Sequence, residues 1–376
     1  MIISFIIAFI VCFLVSYLTC WIVRLLGGRI GLVDKPGLRK IHEKPMPTGG
    51  GLGIWLGITF PLLAATFLAN ILKLQLSSNL EATHFLNIPY LTIPDFIRTH
   101  VSGIVFQSVR LWQLLGLGTI LVILGTLDDR FNLNWKLRFG IQALVAIFAV
   151  KLGWKATFFV DIPWLTSLIS IIWIIGLTNS FNLLDNMDAL SAGVAAISAL
   201  FLSIVMLGFA TNPLSGEPQL FLGGFLLILV AALLGFLLHN RPPAKMFMGD
   251  GGAYFIGFLL ATTTLSATFV GDNAPKQAIL VPICILAVPI YDTFSVIVIR
   301  LRNHKSPFEG DTNHYSHRLV RRGLSKPKAV LTIYLTTVIC SINALFLYQV
   351  GLFSALLMIL QIVMIFVLIA IFESHH

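Results

Sequence analysis

Long apolar runs separated by short polar stretches recur along the whole chain. On a template of about 20 apolar residues per bilayer crossing, eleven segments stand out: 3–25, 50–72, 111–127, 139–153, 163–178, 189–209, 220–238, 251–270, 278–299, 329–349 and 352–373. Each reads as a helix, because in hydrocarbon a helix satisfies its backbone polar groups within a single segment. The expected fold class is therefore all-α: a polytopic integral membrane protein with about eleven transmembrane helices. The first segment runs straight into Arg24 with no small-residue cleavage site behind it, so it reads as retained and not as a removed signal peptide.

The polar stretches between these segments set an orientation. Connections 22–48, 128–138, 239–250 and 300–328 hold 19 of the 25 Lys and Arg, and the alternate connections hold the rest. The positive-inside rule then places the first set in the cytoplasm, the N terminus outside and the C terminus inside. Composition excludes the soluble alternative: with 57% hydrophobic and 11% charged residues, the chain cannot clothe a water-facing surface. The net charge of +9 follows from topology and from attraction to anionic headgroups, so no nucleic-acid partner is expected. Cys12, Cys20, Cys284 and Cys340 all fall inside apolar segments without metal-ligand spacing and are expected to pack.

With sides assigned, the chemistry-bearing residues collect on the cytoplasmic face. A transporter would carry ionisable groups near the bilayer midplane. The apolar segments hold Asp292, about eight residues and so ~12 Å below the basic end of its helix. In GTLDDRF, Asp128 and Asp129 cannot face the same way on a helix, so one can enter a site while the other orients it. Crowded like charges also raise one pKa, which suits a general base. The plain alternative is an acidic helix end beside Arg130.

In NSFNLLDNMDAL, Asn179, Asn182 and Asp185 share a helical face and Asp188 continues it. These are hard oxygen donors suited to Mg²⁺ or to a nucleotide. Helix capping would occupy one or two of them and leaves the others unexplained. In RPPAKMFMGDGGAYFIG, Arg241 and Lys245 precede Phe247, and the glycines around Asp250 let backbone amides at a helix start approach an anion. Asp250 itself suits Mg²⁺. In KSPFEGDTNHYSHRLVRRG, His314 and His317 stand among Arg318, Arg321 and Arg322. The spacing of the histidines would suit zinc, but the arginines repel a cation, so a phosphate clamp fits better, with a loop that reads lipid headgroups as the alternative. A fifth basic stretch, DKPGLRKIHEKPMPTGGG, ends in glycines before the second segment. Together these residues suit chemistry on a phosphate-bearing lipid with a water-soluble nucleotide partner.

In order and spacing, the five stretches resemble the polyprenyl-phosphate N-acetylhexosamine-1-phosphate transferases, glycosyltransferase family 4. SPF and HYSH are closer to the undecaprenyl-phosphate GlcNAc-1-phosphate branch than to the MurNAc-pentapeptide branch. The resemblance implies a single catalytic domain over 1–376, its site built from loops 26–49, 128–138, 178–190, 239–252 and 300–328. It implies transfer of an N-acetylhexosamine 1-phosphate, GlcNAc-1-phosphate foremost, from a UDP-sugar to a polyprenyl phosphate, with release of UMP. Asp128 and Asp129 would then be catalytic, with Asp128 as base. Lys44, Thr48, Asn179, Asn182, Asp185, Asp188, Phe247, His314, His317 and Arg318 would bind substrate. Asp250 and Asn182 would hold Mg²⁺, or Mn²⁺ in its place.

The implied setting is the bacterial plasma membrane, with a homodimer allowed. Alternatives are a transporter or flippase of a lipid-linked sugar, the MurNAc-pentapeptide reaction, an inactive scaffold, and a two-step route through an aspartyl-phosphate. Three positions depart from the family pattern: Asn186 and Ala189 replace glycines, and Ser316 replaces a histidine. They bear on the sugar more than on the reaction class. The surplus negative charge of 179–190 is expected to be met by a metal, by Lys245 and by the arginines after His317.

Overall fold

All eleven apolar segments carry helices in the computed structural model, which describes residues 2–34, 45–78, 84–85, 88, 92–156, 162–211, 216–267, 269, 275–306 and 311–374. In chain order these are α1 (Ile2–Ile30), α2 (Gly50–Ser78), α3 (Asp95–Phe131), α4 (Trp135–Lys151), α5 (Pro163–Leu184), α6 (Leu190–Gly208) and α7 (Leu220–Asn240). There follow α8 (Gly249–Ser266), α9 (Val281–Ile285), α10 (Ala287–Arg302), α11 (Tyr315–Arg321), α12 (Lys326–Phe346) and α13 (Leu352–Ser374). Two strands of two residues each precede α2: β1 (Val33–Asp34) pairs antiparallel with β2 (Met46–Pro47). Lys44 lies outside the described residues.

Eight helices, α1, α2, α3, α5, α6, α7, α12 and α13, are long and apolar enough to cross a membrane. A ninth span forms if the segment Lys276–Ile285 and α10 are taken together across their 65° bend. Segment 278–299 is therefore not the straight helix its apolar run suggested. Pro289 has no N–H to return to Ile285, and Leu286 leaves the helical region, so the rod breaks there. The third segment is also longer than its apolar part. α3 has 37 residues, ~56 Å of helix, because its first turns pack Val101 against Ala69 and Leu72 of α2.

Besides the short α11, α4 and α8 fall short of the span criterion, for different reasons. α4 has 17 residues. α8 is the centre of the bundle: Gly251 to Leu265 are buried without interruption, against α2, α3, α5 and α6. A helix wrapped in protein does not need a lipid-compatible surface. Its threonines return their hydroxyls to the preceding turn, Thr262 to Phe258 O at 2.7 Å and Thr263 to Leu259 O at 2.7 Å. α1 and α13 show the opposite pattern, with Ile3, Leu18, Leu357 and Phe372 about half or more exposed. Such a surface is stable against lipid and a liability in water.

Glycines decide how closely α8 is approached. A Cβ on Gly51 of α2 would collide with the Gly252 backbone, and one on Gly125 of α3 with the Gly251 backbone. Contact between small residues is how helices gain packing energy where lipid removes the hydrophobic drive between them. The crossing places the ends of α2 and α3 against the first turn of α8, where Asp250 stands.

Candidate active site

The site is built from helix ends. α3 stops at Asn132, which adopts a left-handed conformation and donates its N–H to Asp128 O at 2.8 Å. The chain turns, Asn134 caps α4 by accepting from Lys136 N at 2.9 Å, and Arg138 comes round one turn later. Its guanidinium donates to Asp128 Oδ2 and lies 3.6 Å from Asp250 Oδ2, so it bridges two carboxylates. The other oxygen of Asp128 accepts from Leu133 N at 2.8 Å, and the residue is 5% exposed.

Asp129 points elsewhere, as adjacent helical residues must. Its Oδ1 accepts the Asp250 N–H at 3.1 Å, which attaches the first turn of α8 to the end of α3. Gly249 makes this approach feasible: its φ is +76°, and a Cβ there would meet the Asp129 carboxylate. Asp250 Oδ1 in turn accepts from Asn182 Nδ2 at 2.8 Å. Asp128, Asp129, Asp250 and Asn182, named from three separate stretches of sequence, thus meet around Arg138.

The shared face expected for 179–188 ends early. α5 stops at Leu184, with Asp185 as its C-cap. Asn179 is held by Gln142 Oε1 at 2.7 Å and Ile175 O at 2.8 Å, and Asn182 reaches Asp250. Asp188 leaves the face and accepts Ala244 N at 2.9 Å, which fixes the loop ahead of α8. Asp185 has no such amide: burial first, then repulsion from Asp129 and Asp188, pushes its carboxyl up to about 8. Ala189 sits at φ +62°, its N–H donating to Asn240 Oδ1 at 2.7 Å and its carbonyl accepting from Tyr334 Oη. That backbone favours glycine, and an alanine there costs about 1 kcal/mol.

Phe247 and Thr48 meet through the backbone. Phe247 N donates to Pro47 O at 2.9 Å and Phe247 O accepts from Gly50 N at 3.0 Å, while Thr48 is buried between. Lys245, expected as a counter-charge to the carboxylates, lines a separate pocket with Arg24 and Arg241. The cation that meets the carboxylates is Arg138, whose position one turn into α4 puts it ten residues past Asp128.

The basic stretch is organised by pairing. Asp292, fully buried in α10, accepts from His314 Nδ1 at 3.0 Å and from Tyr315 N at 2.6 Å. A carboxylate only accepts, so Nδ1 of His314 carries the proton and the tautomer is set. Arg300 and Asp311 form a two-pronged pair at 3.2 Å, and Asp311 also accepts twice from Asn313. Burial alone would raise Asp311, but these donors outweigh it and hold it at about 2. Arg318 donates to Glu373 at 2.8 Å, to Ser295 Oγ at 2.9 Å and to Asn313 O. His317 is half-buried beside His314, and burial, then His314 and Arg321, lower its pKa. Ser316 Oγ donates to Asn186 Oδ1, so two positions that depart from the resemblance touch each other.

Sequence reading missed Arg138, Gln142 and the role of Asp292. In the sequence Arg138 is one of three basic residues in 128–138, with no motif around it to mark it. Asp292 carried a signal, since an ionisable residue inside an apolar segment is retained for a partner, but the partner lies 22 residues away on another element. Among the described residues, no three His, Cys, Asp or Glu side chains are arranged to hold a metal. A hard cation here would take one or two protein oxygens and complete its shell with substrate and water, which is the habit of Mg²⁺.

Fold and site together define a polytopic membrane protein with a carboxylate centre at one end of its helical bundle. Residues 111–268 match the model of glycosyl transferase family 4. Over 357 residues the chain is 32% identical to a Bacillus subtilis protein named "Probable undecaprenyl-phosphate N-acetylglucosaminyl 1-phosphate transferase", covering 93% of this chain and 86% of that one. It is 31% identical to the Mycolicibacterium smegmatis decaprenyl-phosphate N-acetylglucosaminephosphotransferase, covering 87% and 77% of the two chains. With the Escherichia coli K12 undecaprenyl-phosphate alpha-N-acetylglucosaminyl 1-phosphate transferase the identity is 27%, over 87% and 79%. The chain belongs to glycosyl transferase family 4 and is an enzyme of the membrane.

Proposed function

We propose that this protein transfers GlcNAc-1-phosphate from UDP-GlcNAc to a polyprenyl phosphate, from the cytoplasmic face of a bacterial plasma membrane. An oxygen of the lipid phosphate attacks the sugar-bearing β-phosphorus of the donor. The bond from that phosphorus to the bridging oxygen breaks, UMP leaves, and a polyprenyl diphosphate sugar remains. The observation that carries this reading is the meeting of Asp128, Asp129, Asp250 and Asn182 around Arg138, in a chain whose relatives are named for the same transfer.

Such a reaction needs two anions brought into line and their charge neutralised. Mg²⁺ fits the donor set: Asp250 and Asn182 would hold it, and it would supply positive charge to the diphosphate. Asp128, held by Arg138, would take a proton from the lipid phosphate. Arg138 balances charge across the centre. Phe247 offers an aromatic face to uracil, and Thr48 and Lys44 would bind the same substrate. Asp185 and Asp188 contact nucleotide and sugar, and His314 and His317 contact phosphate. Asp292 and Arg318 act through others, Asp292 by orienting His314 and Arg318 by fixing α11 to α13.

The test uses the purified full chain in nanodiscs with UDP-GlcNAc, undecaprenyl phosphate and MgCl₂. UMP release that stops with EDTA and in Asp250→Asn is expected. Movement of lipid-linked sugar without UMP release would instead establish a transporter. A panel of UDP-N-acetyl sugars identifies the donor, and native mass spectrometry of the same preparation tests for a homodimer.

A further inference from the structure

A polar cavity of about 260 Å³ shares no lining residue with the carboxylate centre. Arg24 lines it from α1, and Arg241 and Lys245 from the loop after α7, with Tyr17, Trp21 and His239 completing the wall. The fold brings these together for local reasons. Lys245 N donates to His239 O at 2.8 Å and Asn240 Nδ2 to Met246 O at 2.8 Å, so the loop curls back onto the end of α7. α1 lies along α7, tied by Ser16 Oγ to Ala232 O at 2.7 Å and by His239 Nε2 with Tyr17 O at 3.1 Å. Arg24, two turns past Tyr17, arrives at the level of that loop.

Among the described residues, no carboxylate pairs with Arg24, Arg241 or Lys245. Three cations drawn into one concavity without a counter-ion call for an anion. The rim says which kind. Trp21 is both a wall of the pocket and 45% exposed, and Leu18, Ile22 and Leu25 continue the exposed apolar face of α1 beside it. The cavity thus opens where an apolar belt meets a basic loop, the level at which tryptophan and headgroup phosphates lie in a bilayer.

We propose that this pocket binds the phosphate of an anionic phospholipid, with the acyl chains against the exposed face of α1. Arg24 and Arg241 offer paired N–H donors to the phosphate oxygens and Lys245 a point charge. The site shares no side chain with the carboxylate centre and does not depend on the transfer reaction.

Native mass spectrometry of the full chain in detergent, titrated with dioleoyl phosphatidylglycerol, dioleoyl phosphatidylcholine or inorganic phosphate, tests it. One phosphatidylglycerol should be retained in preference to phosphatidylcholine. R24Q/R241Q should weaken that retention about 10- to 30-fold, while R24K/R241K keeps most of it. Raising salt from about 50 to 500 mM should weaken retention by the unaltered chain, a readout that needs no variant. Equal retention by the unaltered chain and R24Q/R241Q, insensitivity to salt, or no preference over phosphatidylcholine each overturn the proposal. Displacement of the lipid by millimolar inorganic phosphate would assign the pocket to a free anion and overturn it equally.

Discussion

The carboxylate centre and the α10–α11 segment are both rich in charge, and they treat it in opposite ways. Around α3, α5 and α8, Asp128, Asp129, Asp185 and Asp250 crowd together with one guanidinium, Arg138, bridging two of them. From α10 to α11, among the described residues, the buried charges are matched: Arg300 with Asp311, Arg318 with Glu373, His314 with Asp292. A surplus of one sign in a partly dry site is unfavourable until a ligand of opposite sign arrives. A matched set holds a shape. The first region therefore has the character of a reaction centre and the second that of its frame.

Variants can break this contrast, and the largest effect is expected at Asp250. Asp250→Asn should lower UMP release about 10³-fold. Its melting temperature should stay level or rise, because a neutral amide replaces one crowded carboxyl. In the frame the signs reverse. Arg318→Ala strands the buried Glu373 and should lower stability by about 3 kcal/mol, read as a lower melting temperature, and Arg318→Ala with Glu373→Leu should recover part of it. An Arg318→Ala variant as stable as the parent would remove the frame reading.

Asp292→Asn is intermediate. It frees the ring of His314 without touching the substrates, so kcat should fall about 10- to 100-fold with the donor KM unchanged. A change in KM alone would mean that Asp292 acts elsewhere. Asp185 gives a pH effect with a defined sign. Its carboxyl stands at about 8 in the folded chain against an ordinary 3.8, so between those values the folded state holds a proton that the unfolded state has released. Stability is then fully present below about 4 and is lost as pH climbs to 8. In EDTA the melting temperature should drop from pH 5 to pH 8, and Asp185→Asn should flatten the drop. The smallest effect is at Ala189, where Ala189→Gly should stabilise by about 1 kcal/mol by relieving the left-handed backbone.

Much of this architecture was legible in the apolar pattern, because bilayer-length runs impose helices locally and need no partner to do so. The motif residues were legible for a related reason: Asn, Asp and Gly inside or beside apolar runs are costly unless used. The bend at Leu286 was visible in Pro282 and Pro289 only in retrospect, since proline in a membrane helix either kinks it or is absorbed. The extent of α3 was hidden because its polar first half is stabilised by Val101 on Ala69 and Leu72, a contact between helices.

What the chain alone decides is its class and the inventory of its site: helices where twenty apolar residues run together, and the aspartates and asparagines between them. What the tertiary structure decides is who meets whom. Whether Asp128 pairs with Arg138 or with a distant arginine, and which backbone amide Asp188 accepts from, depends on how closely helices approach. That approach is set by Gly51 on Gly252 and Gly125 on Gly251, contacts between backbones that no spacing rule along one helix can express. Charge is written residue by residue. Its compensation is a property of distance, and distance exists only once the bundle has closed.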